Sequence, residues 1–199
     1  MIGRRVVLAG VLAGLAGGAR AEGAAAVPVA ALLEGLKTAM KAGRGVPFAA
    51  RAARLGPIVE ASFDLKTILV ASVGPRWGGF AAEAQAALLA AFRDFTVATW
   101  VANFDADEGQ RFEIEPAIRA VGADRVVTTR IVPASGEATR LDYVMRDIAG
   151  AWRAVDILID GSISRAAVQR SDFRGLLRDG NPAGLIQNLR DKAAELARG

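Results

Sequence analysis

Carboxylates and a few hydroxyls are the only side chains here with the numbers for acid–base or covalent chemistry, because the 199 residues include no histidine and no cysteine. Those two zeros exclude Ser-His-Asp and Cys-His triads, imidazole and thiolate metal sites, redox cysteine pairs, disulfides and a cysteine-linked lipid anchor. Ser62, Ser72, Ser162 and Ser164 have no imidazole to take their protons, and no Ser-x-x-Lys spacing replaces it. Asp105-Ala106-Asp107-Glu108-Gly109 clusters carboxylates as hard cations prefer. It lacks the alternating third ligand and distal glutamate of a calcium loop, so it reads as a solvated turn. Glu113 and Glu115 lie two apart on a strand and share a face. With Phe112 and Ile114 alternating with them, they read as a solvent-facing edge before they read as an acid/base pair.

Asp156 is the acid with the most unusual setting. It stands inside Trp152-Arg153-Ala154-Val155-Asp156-Ile157-Leu158-Ile159, a strand apolar on both sides. Period 2 puts it on one face with Trp152, Ala154 and Leu158. A carboxylate there must find donors or stay protonated. Backbone amides or an arginine at the sheet end are the first reading, and a general acid or base in a pocket is the second.

The elements that must position these groups follow from periodicity. Leu32, Leu33, Leu36 and Met40 give a helix over Val29–Ala42, ending at Gly43. A second helical stretch starts at Pro47 and is interrupted near Gly56-Pro57, where proline removes a backbone donor. Asp64 is the N-cap of a short helix closed by Gly74-Pro75. The longest helix, from about Ala81 to Asn103, carries Leu88, Leu89, Phe92, Phe95, Thr96, Thr99 and Trp100 along one side. Alternation at 112–114, 125–132 and 139–146, then the β-branched run 152–159, predicts a four-stranded antiparallel meander. Ser164 caps a following helix, and Asn181-Pro182 opens a last one over 183–197. Helices, then hairpin-linked strands, then helices is an α+β order, in one domain spanning residues 22–199.

Residues 1–21 read as a secretory signal peptide: basic Arg4-Arg5, an apolar Val6–Gly18 run, and Ala19-Arg20-Ala21 as the cleavage site. Whether export uses the twin-arginine route is left open. Removing the signal leaves 22 basic residues against 21 acidic, so the formal charge of +4 belongs mostly to the signal. No basic stripe with interleaved aromatics remains, which argues against a nucleic-acid partner. The 52% apolar content exceeds what a thin core under four strands needs. It fits either a filled core or helices standing off a curved sheet around an apolar cavity.

Leu141-Asp142-Tyr143, Trp152-Arg153-Ala154-Val155-Asp156-Ile157, Asp160-Gly161-Ser162-Ile163-Ser164, Phe173-Arg174-Gly175-Leu176-Leu177 and Leu185-Ile186-Gln187-Asn188-Leu189 together resemble the C-terminal half of the MlaC/toluene-tolerance family. Gly74-Pro75-Arg76-Trp77 and the helix with Phe92, Phe95 and Thr96 resemble the family's middle, so the likeness spans roughly residues 60 to 195. Ser162-Ile163-Ser164 looks more like its HpnM branch, which is associated with hopanoids. The resemblance implies a periplasmic lipid carrier without a cofactor. Its helical layer would cover a curved antiparallel sheet of NTF2/cystatin-like type, with a phospholipid or hopanoid held between. The implied partners are an inner-membrane ABC/MCE transporter complex and an outer-membrane lipoprotein complex. On this reading the lining comes from Phe92, Phe95, Trp100, Val127, Ile131, Leu141, Tyr143, Met145, Trp152 and Leu158, with Arg76 and Arg140 facing a head group. The competing expectations are an NTF2/cystatin-like enzyme using Asp156 as general acid or base, and a structural adaptor with a filled core.

Overall fold

The computed structural model describes residues 14–177 and 180–198. Residues 1–13 of the predicted signal lie outside the described residues. Helix α1 runs from Gly14 to Ala42, through the predicted cleavage site, and buries Val29, Leu32, Leu36 and Met40 at the spacing read from the sequence. Its Gly23–Ala42 stretch is long and apolar enough to cross a membrane, yet this stripe is core. Helix α2 (Phe48–Ser62) passes unbroken through Pro57, where an interruption was expected. Packing explains the difference: Gly56, bare of a side chain, lies against Val97 of α4 (Ala82–Asn103), and tertiary contact overrides local propensity. The short α3 (Leu65–Val73) is capped as predicted, with Asp64 Oδ1 accepting from Thr67 N at 2.7 Å.

The sheet has six strands rather than four: β1 (Arg111–Ile114), β2 (Arg119–Val121), β3 (Asp124–Val132), β4 (Thr139–Ile148), β5 (Ala151–Ile159) and β6 (Ile163–Ser164). Every pairing between them is antiparallel. Both β1 and β2 pair with β3, at 129–132 and 124–126 respectively, so they act as one edge strand broken in the middle. Pro116 lies in that break, and proline has no N–H to give to a ladder. The two-residue β6 follows the Asp160-Gly161 turn, whose φ values of 51° and 73° suit a tight hairpin. Helices α5 (Arg165–Arg174) and α6 (Ala183–Arg198) complete the α+β fold.

A bulge in β5 decides which side chains face the helices. Met145 pairs with Ala154, but Val144 pairs with Asp156, so Val155 is an extra residue on the β5 side. Before it, Trp152 and Ala154 share the face of Met145; after it, Ile157 and Ile159 stand opposite Tyr143 and Leu141. Leu158 therefore turns to the outer face, opposite Asp142, and the uninterrupted period 2 expected over 152–158 does not hold. At this irregularity Asp64 N donates to Ala154 O at 2.9 Å, and Phe63 bridges to Ala154. That contact ties the α2–α3 junction to the sheet. Helix α1 lies on β3, β4 and β5, α4 packs on α2 and α3, and α6 covers α4.

Candidate functional site

The aromatic side of α4 was too large for a thin core, and the structure shows what it faces. Phe92 is almost wholly buried, Phe95 and Trp100 half so. Trp100 stacks on Phe104 at 5.5 Å between ring centres and meets Phe63 at 5.7 Å. Phe63 in turn lies 6.2 Å from Tyr143, which connects the helix aromatics to the sheet. Beside this cluster is an open cavity of about 320 Å³. Its walls are α4, the start of α3, the Leu141 end of β4, the Ile157–Ile159 end of β5, and the first turns of α5.

The lining is apolar with a few polar groups near α5. Thr96 and Thr99 donate their hydroxyls back to Phe92 O and Phe95 O at 2.7 and 2.8 Å, so those protons are satisfied within α4. Arg165 is the one cation on the wall among the described residues, and Gln169 lies beside it one turn along α5. Ser72 Oγ is 3.0 Å from Gln169 Oε1, which joins α3 to α5 at this edge. Such a volume lies near the low end of the roughly 300–1,000 Å³ of small-molecule pockets.

Of the ten residues expected on the wall, the structure puts Phe92, Phe95, Trp100 and Leu141 there. Val127, Tyr143 and Met145 are in the closed core beneath it. Ile131 is near the far end of β3, opposite Phe112, and Trp152 lies under the Arg125 guanidinium at 6.0 Å. Leu158 is on the other face because of the bulge. Phe63, Leu65, Ile68, Phe104, Ile157, Ile159, Arg165 and Gln169 were not anticipated. A sequence signal for two of them existed: Phe63 precedes the N-cap Asp64 and Ile68 is four residues into α3, the positions of a hydrophobic staple.

Neither arginine proposed for a head group borders this cavity. Arg140 grips Asp142 with two bonds of 2.8 Å on the outer face of β4, its guanidinium resting on Gly161. Arg76 is exposed on the 3-10 turn Gly74–Gly79 after α3. The acids with possible chemistry are engaged in the fold. Asp156 Oδ1 accepts from Ile157 N at 2.8 Å and Ala166 N at 3.1 Å, and Oδ2 accepts from Ser164 Oγ at 2.5 Å. Ser164 Oγ itself accepts from Ala167 N, so acid and serine together cap α5, the first of the two readings of Asp156. Asp105 is held by Arg44 at 2.7 Å, and this guanidinium is the main reason its carboxyl titrates below the ordinary range. Glu115 pairs with Arg130 at 3.0 Å, and Glu113 is 3.9 Å from Arg111.

An open apolar cavity walled by a helix layer and a twisted antiparallel sheet coincides with a family match. Residues 31–191 match the family described as MlaC protein. The chain belongs to the MlaC family. Among solved structures it is similar to the phospholipid-binding protein from Ralstonia solanacearum in complex with a phospholipid, with a TM-score of 0.74 and 22% identity. That likeness covers 89% of this chain and 98% of the other, and at this identity it speaks for the MlaC-type fold. No curated protein matches the sequence.

Proposed function

We propose that the protein is a non-enzymatic, soluble carrier of a phospholipid or hopanoid in the periplasm, reached after cleavage of residues 1–21. The observation that carries this reading is the apolar cavity under the α4 aromatics in a chain of the MlaC family. Burying a CH₂ group is worth about 0.8 kcal/mol, so one long acyl chain gains of order 10 kcal/mol on leaving water. Leaving the tail exposed in transit would cost as much, so a soluble carrier has to enclose it as the membrane does. Phe92, Phe95, Trp100 and Leu141 contact the hydrocarbon on this reading, and Arg165, at the polar edge, meets the lipid phosphate. The Ralstonia relative's phospholipid supports the acyl ligand, while Ser162-Ile163-Ser164 supports the HpnM-like branch and a fused-ring one. Handover is to an inner-membrane ABC/MCE transporter and an outer-membrane lipoprotein complex. The NTF2/cystatin-like enzyme reading has less support, because the Asp156 oxygens already serve the α5 cap.

Mass spectrometry of an organic extract from protein purified without detergent tests the proposal. One phospholipid or hopanoid per chain is expected. Protein that emerges lipid-free, and takes up none from vesicles, overturns it.

A further inference from the structure

The α3–α5 pair carries a second recess beyond the cavity. Arg76, Arg170 and Arg174 converge on a concavity of about 220 Å³ with Val73, Pro75 and Leu177 as its other walls. Val73 and Leu177 are buried, which gives the recess an apolar floor. Arg170 and Arg174 are one turn apart on α5, so their charges stand side by side. Arg76 closes the group from the 3-10 turn.

These three arginines differ from others on the surface. Arg44, Arg93, Arg130, Arg140 and Arg146 each hold a carboxylate at 2.6–3.0 Å. Among the described residues, no carboxylate walls the recess, and no acceptor reaches the guanidinium donors of Arg76, Arg170 or Arg174. The backbone is fitted to them as well. Gly74 ends α3 at φ 73°, and a Cβ built there would fall 2.7 Å from Arg170 Nη2. The positive φ favours glycine here, and the Arg170 guanidinium lies close over it. Three exposed cations with no carboxylate partner among the described residues repel one another, an anion between them relieves that repulsion, and planar guanidinium forks match phosphate oxygens. Leu176, exposed beside the recess, adds an apolar contact that a bilayer surface would accept.

Its place in the fold indicates which anion. Arg165 and Gln169 on α5 border the cavity, and Arg170 and Arg174 on the same helix border the recess. At 1.5 Å per residue the two sites are roughly 8 Å apart along α5. We propose that the recess is a docking socket for lipid phosphate at an anionic membrane surface, which sets the Arg165–Gln169 edge of the cavity against the bilayer. The inference takes its purpose from the carrier reading, but its test is independent of bound lipid.

The experiment is flotation of the full chain with vesicles of phosphatidylglycerol in phosphatidylcholine, or phosphatidylcholine alone, at low and high salt. Wild type should bind the anionic vesicles, more weakly as salt rises. Each arginine at such a surface contributes about a factor of five, so Arg170→Glu with Arg174→Glu should weaken binding about 30-fold or more. Lys41→Glu with Lys192→Glu makes the same charge change elsewhere and should cost far less. If the double variant misfolds, Arg76→Glu on the exposed turn gives the reading alone. Undiminished vesicle binding by the socket variant, equal loss in the lysine control, or binding of inorganic phosphate without vesicle binding overturns the inference. So does a variant that keeps the vesicles and loses only an acidic protein partner. Lipid content is measured in parallel: a lipid-free wild type that still docks defeats the carrier reading and leaves the socket standing.

Discussion

The two faces of β4 solve opposite problems with alternate residues of one strand. Toward the helices it presents Leu141, Tyr143 and Met145; outward it presents Arg140, Asp142, Val144 and Arg146. The outer face places its one closed-off carboxylate, Asp142, among partners. Arg140 forks onto it, Arg119 approaches to 3.6 Å, and Thr128 stands directly opposite on β3. Both arginines are substantially exposed, so Asp142 is sealed by its own partners close to the surface. The inner face also holds polar groups: Thr129 gives its hydroxyl to Leu141 O, whereas Arg125 Nε and the Tyr143 hydroxyl find no hydrogen-bond partner among the described residues. The outer face pairs its closed-off charge, whereas the inner face is apolar apart from Arg125, Thr129 and Tyr143, and at its Leu141 end it borders the cavity.

The strongest way to break that division is to move a charge across it. Leu141→Arg would put a cation on the cavity wall facing Phe92 and Trp100, with no carboxylate on the wall but the Asp156 already bonded to α5. Desolvating it would cost far more than 1.4 kcal/mol, the equivalent of a tenfold change in affinity. Lipid recovered per chain, by mass spectrometry after detergent-free purification, should fall at least about tenfold with the fold retained by circular dichroism. A stoichiometric lipid in this variant would show that the ligand lies elsewhere.

The next test acts on the outer face. Burial pushes the Asp142 carboxyl up, but the Arg140 fork, Thr128 and the charge of Arg119 outweigh it, and the group titrates below its ordinary value. A carboxyl lowered in the folded state adds stability above the unfolded pKa, and that contribution is lost as pH falls through the folded value. Arg140→Gln removes the largest opposing partner, so the downward shift shrinks. Wild type should lose stability between about pH 5 and pH 2, near the usual carboxylate range. The variant should show less of that acid loss and a lower denaturation midpoint at neutral pH, read by urea melts across that range.

Much of this arrangement was legible in the chain, and the exceptions share a cause. Helix periodicity placed α4 and the Val29–Ala42 part of α1, the Asn181-Pro182 start placed α6, cap chemistry placed Asp64 and Ser164, and alternation with the β-branched run placed β3, β4 and β5 within a residue or two of their ends. Period 2 failed at one inserted residue, Val155, and that single bulge sent Leu158 outward and brought Ile157 and Ile159 to the cavity. A bulge depends on what the partner strand and the α2–α3 junction offer, which no local pattern in β5 contains. Only four of the ten expected lining residues reach the wall, for a similar reason. Phe92, Phe95 and Trp100 announce themselves on one helix, whereas Arg165 and Gln169 reach the wall through the packing of α5 on α3, where Ser72 and Gln169 meet 97 residues apart in sequence.

The smallest expected effect concerns the buried phenol on the inner face. Tyr143 is the chain's single tyrosine, so its ionisation is observed without interference from another phenol. Burial raises its pKa well above the ordinary 10.0, and Thr129 offsets only part of this, its own hydroxyl being donated to Leu141 O at 3.2 Å. A raised folded pKa means full stability below about pH 10, lost progressively as pH rises beyond it while only the unfolded chain ionises. Tyrosinate absorbance should therefore stay absent above the ordinary phenol pKa and develop together with unfolding. Tyr143→Phe deletes a buried donor that has no acceptor, and relieving such a group is worth about 1 kcal/mol. The variant should be more stable than wild type by that order at neutral pH and lose the steep alkaline limb. A destabilised variant would mean that the hydroxyl is bonded, by an enclosed water or by the end of a ligand, and that the inner face is less purely apolar than its neighbours make it.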